Sequence, residues 1–326
     1  MKMLLRASRG TLLKDQTIPG FPHKFDIYIP NIPVVSFAMV PLHGGTGGKQ
    51  FIAQAIGLTY AANPTIEQVN WQLLEFFKCM VIIPQGQHCD GTFDAETNPN
   101  SANTVSPQNP DGVATWTNWN MYSQAQDKEF LIALALWIAN HFPNKARILA
   151  GHSNGGMMVH RMWLEASGYF NFYCSTSGPM PKYWDSQTIA PPSLKPFYAR
   201  YSLGDTVLGI KDGRAGIGNH FWDTDWLQQP AQYSVAGYAW PDFSNFVSGW
   251  RSFQTQVGLM GGTFKQSDGV VTTAATGTIT TWTYAGGDLK LDLLTAGDHG
   301  IVNQTKALRK YQFAQWMSWV LSTFVG

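Results

Sequence analysis

The chain has 326 residues, a formal net charge of +1 and 44% hydrophobic residues. That length supports a sizeable core, and the near-neutral balance excludes a strong field recruiting nucleic acid or acidic membrane surfaces. Only 13% of residues are charged, against about 25% in an average soluble protein, so Asn, Gln, Ser and Thr must supply polar surface, a composition that leans towards an extracellular or particle-associated protein.

At the N-terminus, Met3-Leu4-Leu5 is too short for a signal-peptide core and is cut by Arg6 and Arg9. Phe25 to Ile29 alternates as a strand does and ends at Pro30. Val34 to Leu42 is a nearly continuous apolar run, the pattern of a strand buried on both faces. His43-Gly44-Gly45-Thr46-Gly47-Gly48 closes it as a loop. Trp71 to Phe77 reads as a helix and Met80 to Ile83 as a short strand stopped by Pro84. Gln85 to Gln126 is rich in Asn, Pro, Gly and Thr and reads as a surface excursion. The spacing of Cys79 and Cys89 permits a bridge, but the three cysteines, with Cys174, form no disulfide framework and no zinc spacing. Lys128 to Phe142 reads as a helix apolar on most sides and therefore well covered.

Strand Arg147–Ala150 comes next, then a turn and a helix to Ser167. Short strands at Phe172–Cys174 and Phe197–Tyr201 precede a second excursion, Leu208 to Pro241. Asp242 to Val257 reads as a helix, Thr278–Tyr284 and Leu289–Leu294 as strands, and Lys306–Phe324 as a closing helix. Strands alternating with helices predict an α/β fold with a mostly parallel sheet covered on both faces. No clean boundary divides the chain, so residues 1–326 read as one domain with excursions at 85–126 and 208–241. No run of 18 apolar residues suggests a membrane span.

The turn after Ala150 is Gly151-His152-Ser153-Asn154-Gly155-Gly156. Gly-x-Ser-x-Gly alone is a weak signal, but its setting between a strand and a helix is what a nucleophilic serine needs. The turn is strained and brings backbones together, so flanking glycines avoid Cβ collisions. A serine hydroxyl needs a base, and the base an orienting acid, in the chain order Ser, Asp or Glu, His. Three histidines follow Ser153. His160 lies along the following helix and reads as a packed or surface residue; His220 lies within the second excursion. His299, in Gly297-Asp298-His299-Gly300, follows a strand and precedes the last helix, where a base belongs. Asp205 follows strand Phe197–Tyr201 through Ser202-Leu203-Gly204 and is the candidate acid. An oxyanion needs two backbone donors. Asn154 and the loop after the early strand would supply them, Gly45 first and Thr46 second, with His43 as a structural partner of that loop.

These residues resemble the α/β-hydrolase esterases grouped with polyhydroxybutyrate depolymerases and feruloyl or acetylxylan esterases. The resemblance runs from about Phe25 to Phe324, through Leu42-His43-Gly44-Gly45, Asp127-Lys128-Glu129-Phe130-Leu131, Gly151 to Met157, Gly204-Asp205 and Gly297 to Gly300. It implies Ser153 as nucleophile, Asp205 as acid and His299 as base. Members are usually secreted, whereas this N-terminus shows no leader. The family often has His-Gly-Thr-x-Asp at the acid and Thr-Trp-Pro after the histidine; here Tyr201-Ser202-Leu203-Gly204-Asp205 and Gly300-Ile301-Val302 stand there. The expected function is therefore a serine carboxylic ester hydrolase acting on a polyhydroxyalkanoate-like polyester or a feruloyl or acetyl ester, without metal or cofactor. Trp116, Trp119, Trp222 and Trp226 lie in the excursions, where they would line a substrate cleft or anchor the loops. Two alternatives stand beside this: a serine peptidase of the prolyl-oligopeptidase type, and a catalytically silent hydrolase fold used for binding.

Overall fold

A computed structural model describes residues 10–45, 47–89, 113–115, 126–180, 191–205, 220–222, 247–274, 277–295, 297, 299 and 306–325. In chain order the strands are β1 (Gly10–Thr17), β2 (Lys24–Pro30), β3 (Phe37–Leu42), β4 (Cys79–Pro84), β5 (Gln87–Cys89), β6 (Val113–Thr115), β7 (Ala146–His152), β8 (Phe172–Thr176), β9 (Phe197–Ser202), β10 (Val270–Ala274), β11 (Gly277–Tyr284) and β12 (Leu289–Leu294). The α-helices are α1 (Lys49–Ala55), α2 (Trp71–Phe76), α3 (Asp127–His141), α4 (Asn154–Ala166), α5 (Gly249–Leu259) and α6 (Lys306–Val325).

Ten strands form one sheet in the order β1-β2-β4-β3-β7-β8-β9-β12-β11-β10. The pairs from β4 through β3, β7, β8 and β9 to β12 are parallel. Antiparallel strands flank them, β2 and β1 at one end and β11 and β10 at the other. Strand alternation sends side chains to two cores. From β3, Ala38, Val40 and Leu42 meet Phe130, Leu134, Met158 and Phe253 of α3, α4 and α5. Its Phe37 and Met39 face the other way, towards Ile52, Trp71 and Trp316 of α1, α2 and α6. Each such fully buried large side chain contributes about 1.5–3 kcal/mol.

Several elements depart from the sequence reading. β1, α1 and β10 are present although their sequences carry no clear periodic signal. β1 is an edge strand whose register shifts between Leu13 and Gln16, with Asp15 at φ 52°. β10 is the opposite edge, and its Val270 and Val271 are exposed. The helix expected from Asp242 begins at Gly249, because Ser248 is extended and its hydroxyl accepts the Arg251 N–H, capping the helix there. Residues 242–246 lie outside the described residues. α3 is covered on one face only, since Leu136 is half exposed. In the first excursion, β5 pairs with β6 as a small antiparallel sheet; most of both excursions lies outside the described residues. Cys79 is a buried free thiol, so it forms no bridge to Cys89.

Because β3, β7, β9 and β12 run the same way, the loops leaving their C-terminal ends gather at one edge of the sheet. Those loops carry Gly44 and Gly45, Ser153, Asp205 and His299.

Candidate active site

Ser153 joins β7 to α4 at φ 54°, ψ −123°. That backbone is strained for a residue with a Cβ, at a cost of about 1–3 kcal/mol, and the surroundings hold it there. The Ser153 N–H donates to the Thr176 carbonyl at 2.8 Å, and the Met157 N–H donates to the Ser153 carbonyl at 2.9 Å to start the helix. The glycines are needed for close approach. A Cβ on Gly155 would lie 2.5 Å from the carbonyl oxygens of Leu42 and His43, and one on Gly156 would lie 2.7 Å from Ser175 Oγ. A Cβ on Gly151 would collide with the Gly155 carbonyl.

His299 Nε2 lies 2.8 Å from Ser153 Oγ, and its Nδ1 lies 2.7 Å from Asp205 Oδ2. The arrangement fits one tautomer, with Nδ1–H donating to the carboxylate and Nε2 accepting the serine O–H. Asp205 is fully buried and Ser153 is 8% exposed, so the hydroxyl is shielded but reachable. The turn after β9 and the loop after β12 brace each other. Ser202 Oγ donates to the Gly297 carbonyl at 2.7 Å and accepts the Gly204 N–H at 3.3 Å. Gly297 sits at φ 121°, open to glycine, and a Cβ on Gly204 would strike its carbonyl. Sequence reasoning missed Ser202; nothing in its neighbours signals that brace.

The loop after β3 passes over Ser153, where a Cβ on Gly44 would lie 3.2 Å from Ser153 Cβ. His43 shapes this loop. Its Nδ1 lies 2.7 Å from the Gly44 carbonyl, and its Nε2 accepts the Gly86 N–H at 2.8 Å. Gly45 is partly buried beside it, and Asn154 is buried at the start of α4. Thr46 lies outside the described residues, as do Trp116, Trp119 and Trp226. Trp222 is partly buried; its ring packs edge-on against Trp250 at 4.4 Å, Phe221 at 4.9 Å and Trp282 at 6.0 Å. That contact ties the second excursion to the body. His160 is fully buried against Phe197, and burial pushes its pKa down to about 3, so it stays neutral. The His220 side chain lies outside the described residues. Among the described residues, no group of three or more His, Cys, Asp or Glu could hold a metal ion. No helix among them is long and apolar enough to cross a membrane.

Strand order, helices on both faces and a serine on a strained strand-to-helix turn define an α/β-hydrolase fold. Comparison with solved structures agrees. An acetyl xylan esterase from Aspergillus awamori superposes with a TM-score of 0.55, covering 95% of this chain and 100% of its own at 13% sequence identity. A Bacillus cereus carboxylesterase aligns over 91% of this chain and 95% of its own, at 8% identity and a TM-score of 0.46; the fold assignment rests on the former. No family model and no curated sequence matches the chain.

Proposed function

We propose that this protein is a serine hydrolase that cleaves carboxylic esters through an acyl-enzyme. The observation that carries the reading is the unbroken hydrogen-bonded line from Ser153 Oγ through His299 to buried Asp205, mounted on the strained turn. Ser153 Oγ attacks the ester carbonyl carbon while its proton passes to His299 Nε2. Asp205 holds Nδ1–H and stabilises the imidazolium. The backbone N–H groups of Asn154 and Gly45, with Thr46 the second choice in that loop, would receive the oxyanion. His299 then protonates the departing alcohol. A water that gives its proton to His299 attacks the acyl carbon, and Ser153 is regenerated.

The ester proposed is a polyhydroxyalkanoate-like polyester or a feruloyl or acetyl ester, on the strength of the motif resemblance. The fold shared with an acetyl xylan esterase agrees with the acetyl branch. Hydrolysis of para-nitrophenyl esters from acetate to octanoate by the wild type and Ser153→Ala tests the reading. Short-chain activity in the wild type and a loss of about 10⁴-fold or more in the variant are expected. Turnover that survives in Ser153→Ala would mean another nucleophile.

A further inference from the structure

His152 ends β7 one residue before Ser153 and takes no part in the steps above. It is 2% exposed. Its ring centroid lies 5.0 Å from that of His299, the two planes tilted by 46°. The loop after β3 is near it as well, where a Cβ on Gly44 would sit 3.6 Å from His152 Cδ2. One imidazole therefore packs near both the loop that carries Gly45 and the ring that must reach Ser153. Burial pushes its pKa well below the usual histidine value, and His299 beside it adds to that. Its Nδ1 is buried without a hydrogen bond of good geometry, although the Thr176 backbone is near enough to oppose the shift in part. A charged ring is disfavoured here, and Nδ1 makes no hydrogen bond of good geometry that would hold it.

We propose that His152 is a positioning residue, a planar wedge that presses against the Gly44 loop and holds the His299 ring on its hydrogen bonds to Ser153 and Asp205. The proposal rests on the reading of Ser153 as nucleophile. Without the wedge the His299 ring gains room to turn away from Ser153 Oγ, and a displacement of about 1 Å at such a contact costs on the order of 100-fold in rate. Because His152 would act on the base and not on the substrate, KM should stay while kcat falls.

The test measures the rate of fluorophosphonate labelling of Ser153, kcat and KM on para-nitrophenyl acetate, and melting temperature, for the wild type, His152→Ala and His152→Phe. Expected for His152→Ala is a fall of about 10–100-fold in labelling rate and kcat, with KM within about twofold. His152→Phe restores the planar filler and should return both rates to within about threefold of the wild type. Should His152→Ala not fold, His152→Leu takes its place, filling volume without a flat ring, and should react more slowly than His152→Phe. The proposal is overturned if the alanine variant matches the wild type, if phenylalanine is no faster than alanine or leucine, or if only melting temperature changes. A wild type that resists labelling, or labelling that persists in Ser153→Ala, sinks the nucleophile reading and this proposal with it; a labelled wild type with an unaffected His152→Ala sinks this proposal alone.

Discussion

Ser153 and His299 meet at 2.8 Å, yet the segments that bring them there are secured by different physics. On the Ser153 side the restraint is steric. Gly155 and Gly156 lie where a single Cβ would drive into backbone or into Ser175, and the helix begins at once. On the His299 side polar bonds are added to one steric stop, the close approach of Gly204 to the Gly297 carbonyl. The loop after β12 is held by the bond from Ser202 to the Gly297 carbonyl, by that of His299 to Asp205, and by the glycine conformation of Gly297. Steric restraint fails all at once when an atom is added. Polar restraint weakens by one bond at a time, by about 0.5–1.5 kcal/mol each. An atom added at the glycines beside Ser153 should therefore appear first as lost stability, and a single polar bond removed on the His299 side as lost rate in a protein that remains folded.

The largest expected effect that separates the sides is on rate. Asp205→Asn keeps the size and a hydrogen-bonding group but removes the charge that steadies a protonated His299. A fall of about 10³–10⁴-fold in kcat on para-nitrophenyl acetate follows, with unfolding in urea little changed. A loss under tenfold would point to a different acid. Next comes Gly155→Ala, where the added methyl meets two carbonyl oxygens at 2.5 Å. It should cost about 3 kcal/mol or more by urea unfolding. Gly168→Ala is the control, since a Cβ there meets nothing within 4 Å, and its change should stay within about 0.5 kcal/mol.

The same contrast governs what the sequence made legible. The turn around Ser153 was readable because close approach demands glycine at fixed spacing, and that demand is written in neighbouring letters. Asp205 and His299 were readable by elimination and by their places after strands, and the structure brings both to Ser153. Ser202 was not, because its value lies in one bond to Gly297, distant in the chain. The fold follows the same rule. Strands β3 and β4, buried throughout, show as apolar runs, while β7 shows as a short apolar stretch and β12 by its leucines. The edges do not: β1 holds Lys14 and a bulge at Asp15, and β10 exposes both of its valines. An edge strand packs against little, so its composition carries little signal.

Acid should find the Ser153 side first. His160, on α4, is held neutral with a pKa of about 3 by burial, and His152 is depressed by the same cause. Unfolding frees each to protonate near 6.5. The unfolded chain then binds protons that the native state refuses, so stability is full above about pH 6.5 and falls as pH drops, by about 1.4 kcal/mol per unit for each such histidine. Urea unfolding between pH 7.5 and 5.5 should show that slope, and His160→Gln should flatten it by about half. A slope identical in the variant would mean that His160 is not what acid attacks.

The smallest effect is the sharpest test of the comparison. Ser202→Ala removes the hydroxyl that joins the Gly297 carbonyl to the Gly204 N–H. About 1 kcal/mol of stability should go, the worth of one such bond, while kcat falls about 3–10-fold at constant KM because the loop bearing His299 loosens. Measured beside Gly155→Ala, the two variants should part company in stability: the serine variant slower than its small stability loss explains, the glycine variant far less stable. If Ser202→Ala lost stability alone, the loop after β12 would have to be held by packing after all, and the distinction between a sterically and a polar-braced side of the site would collapse.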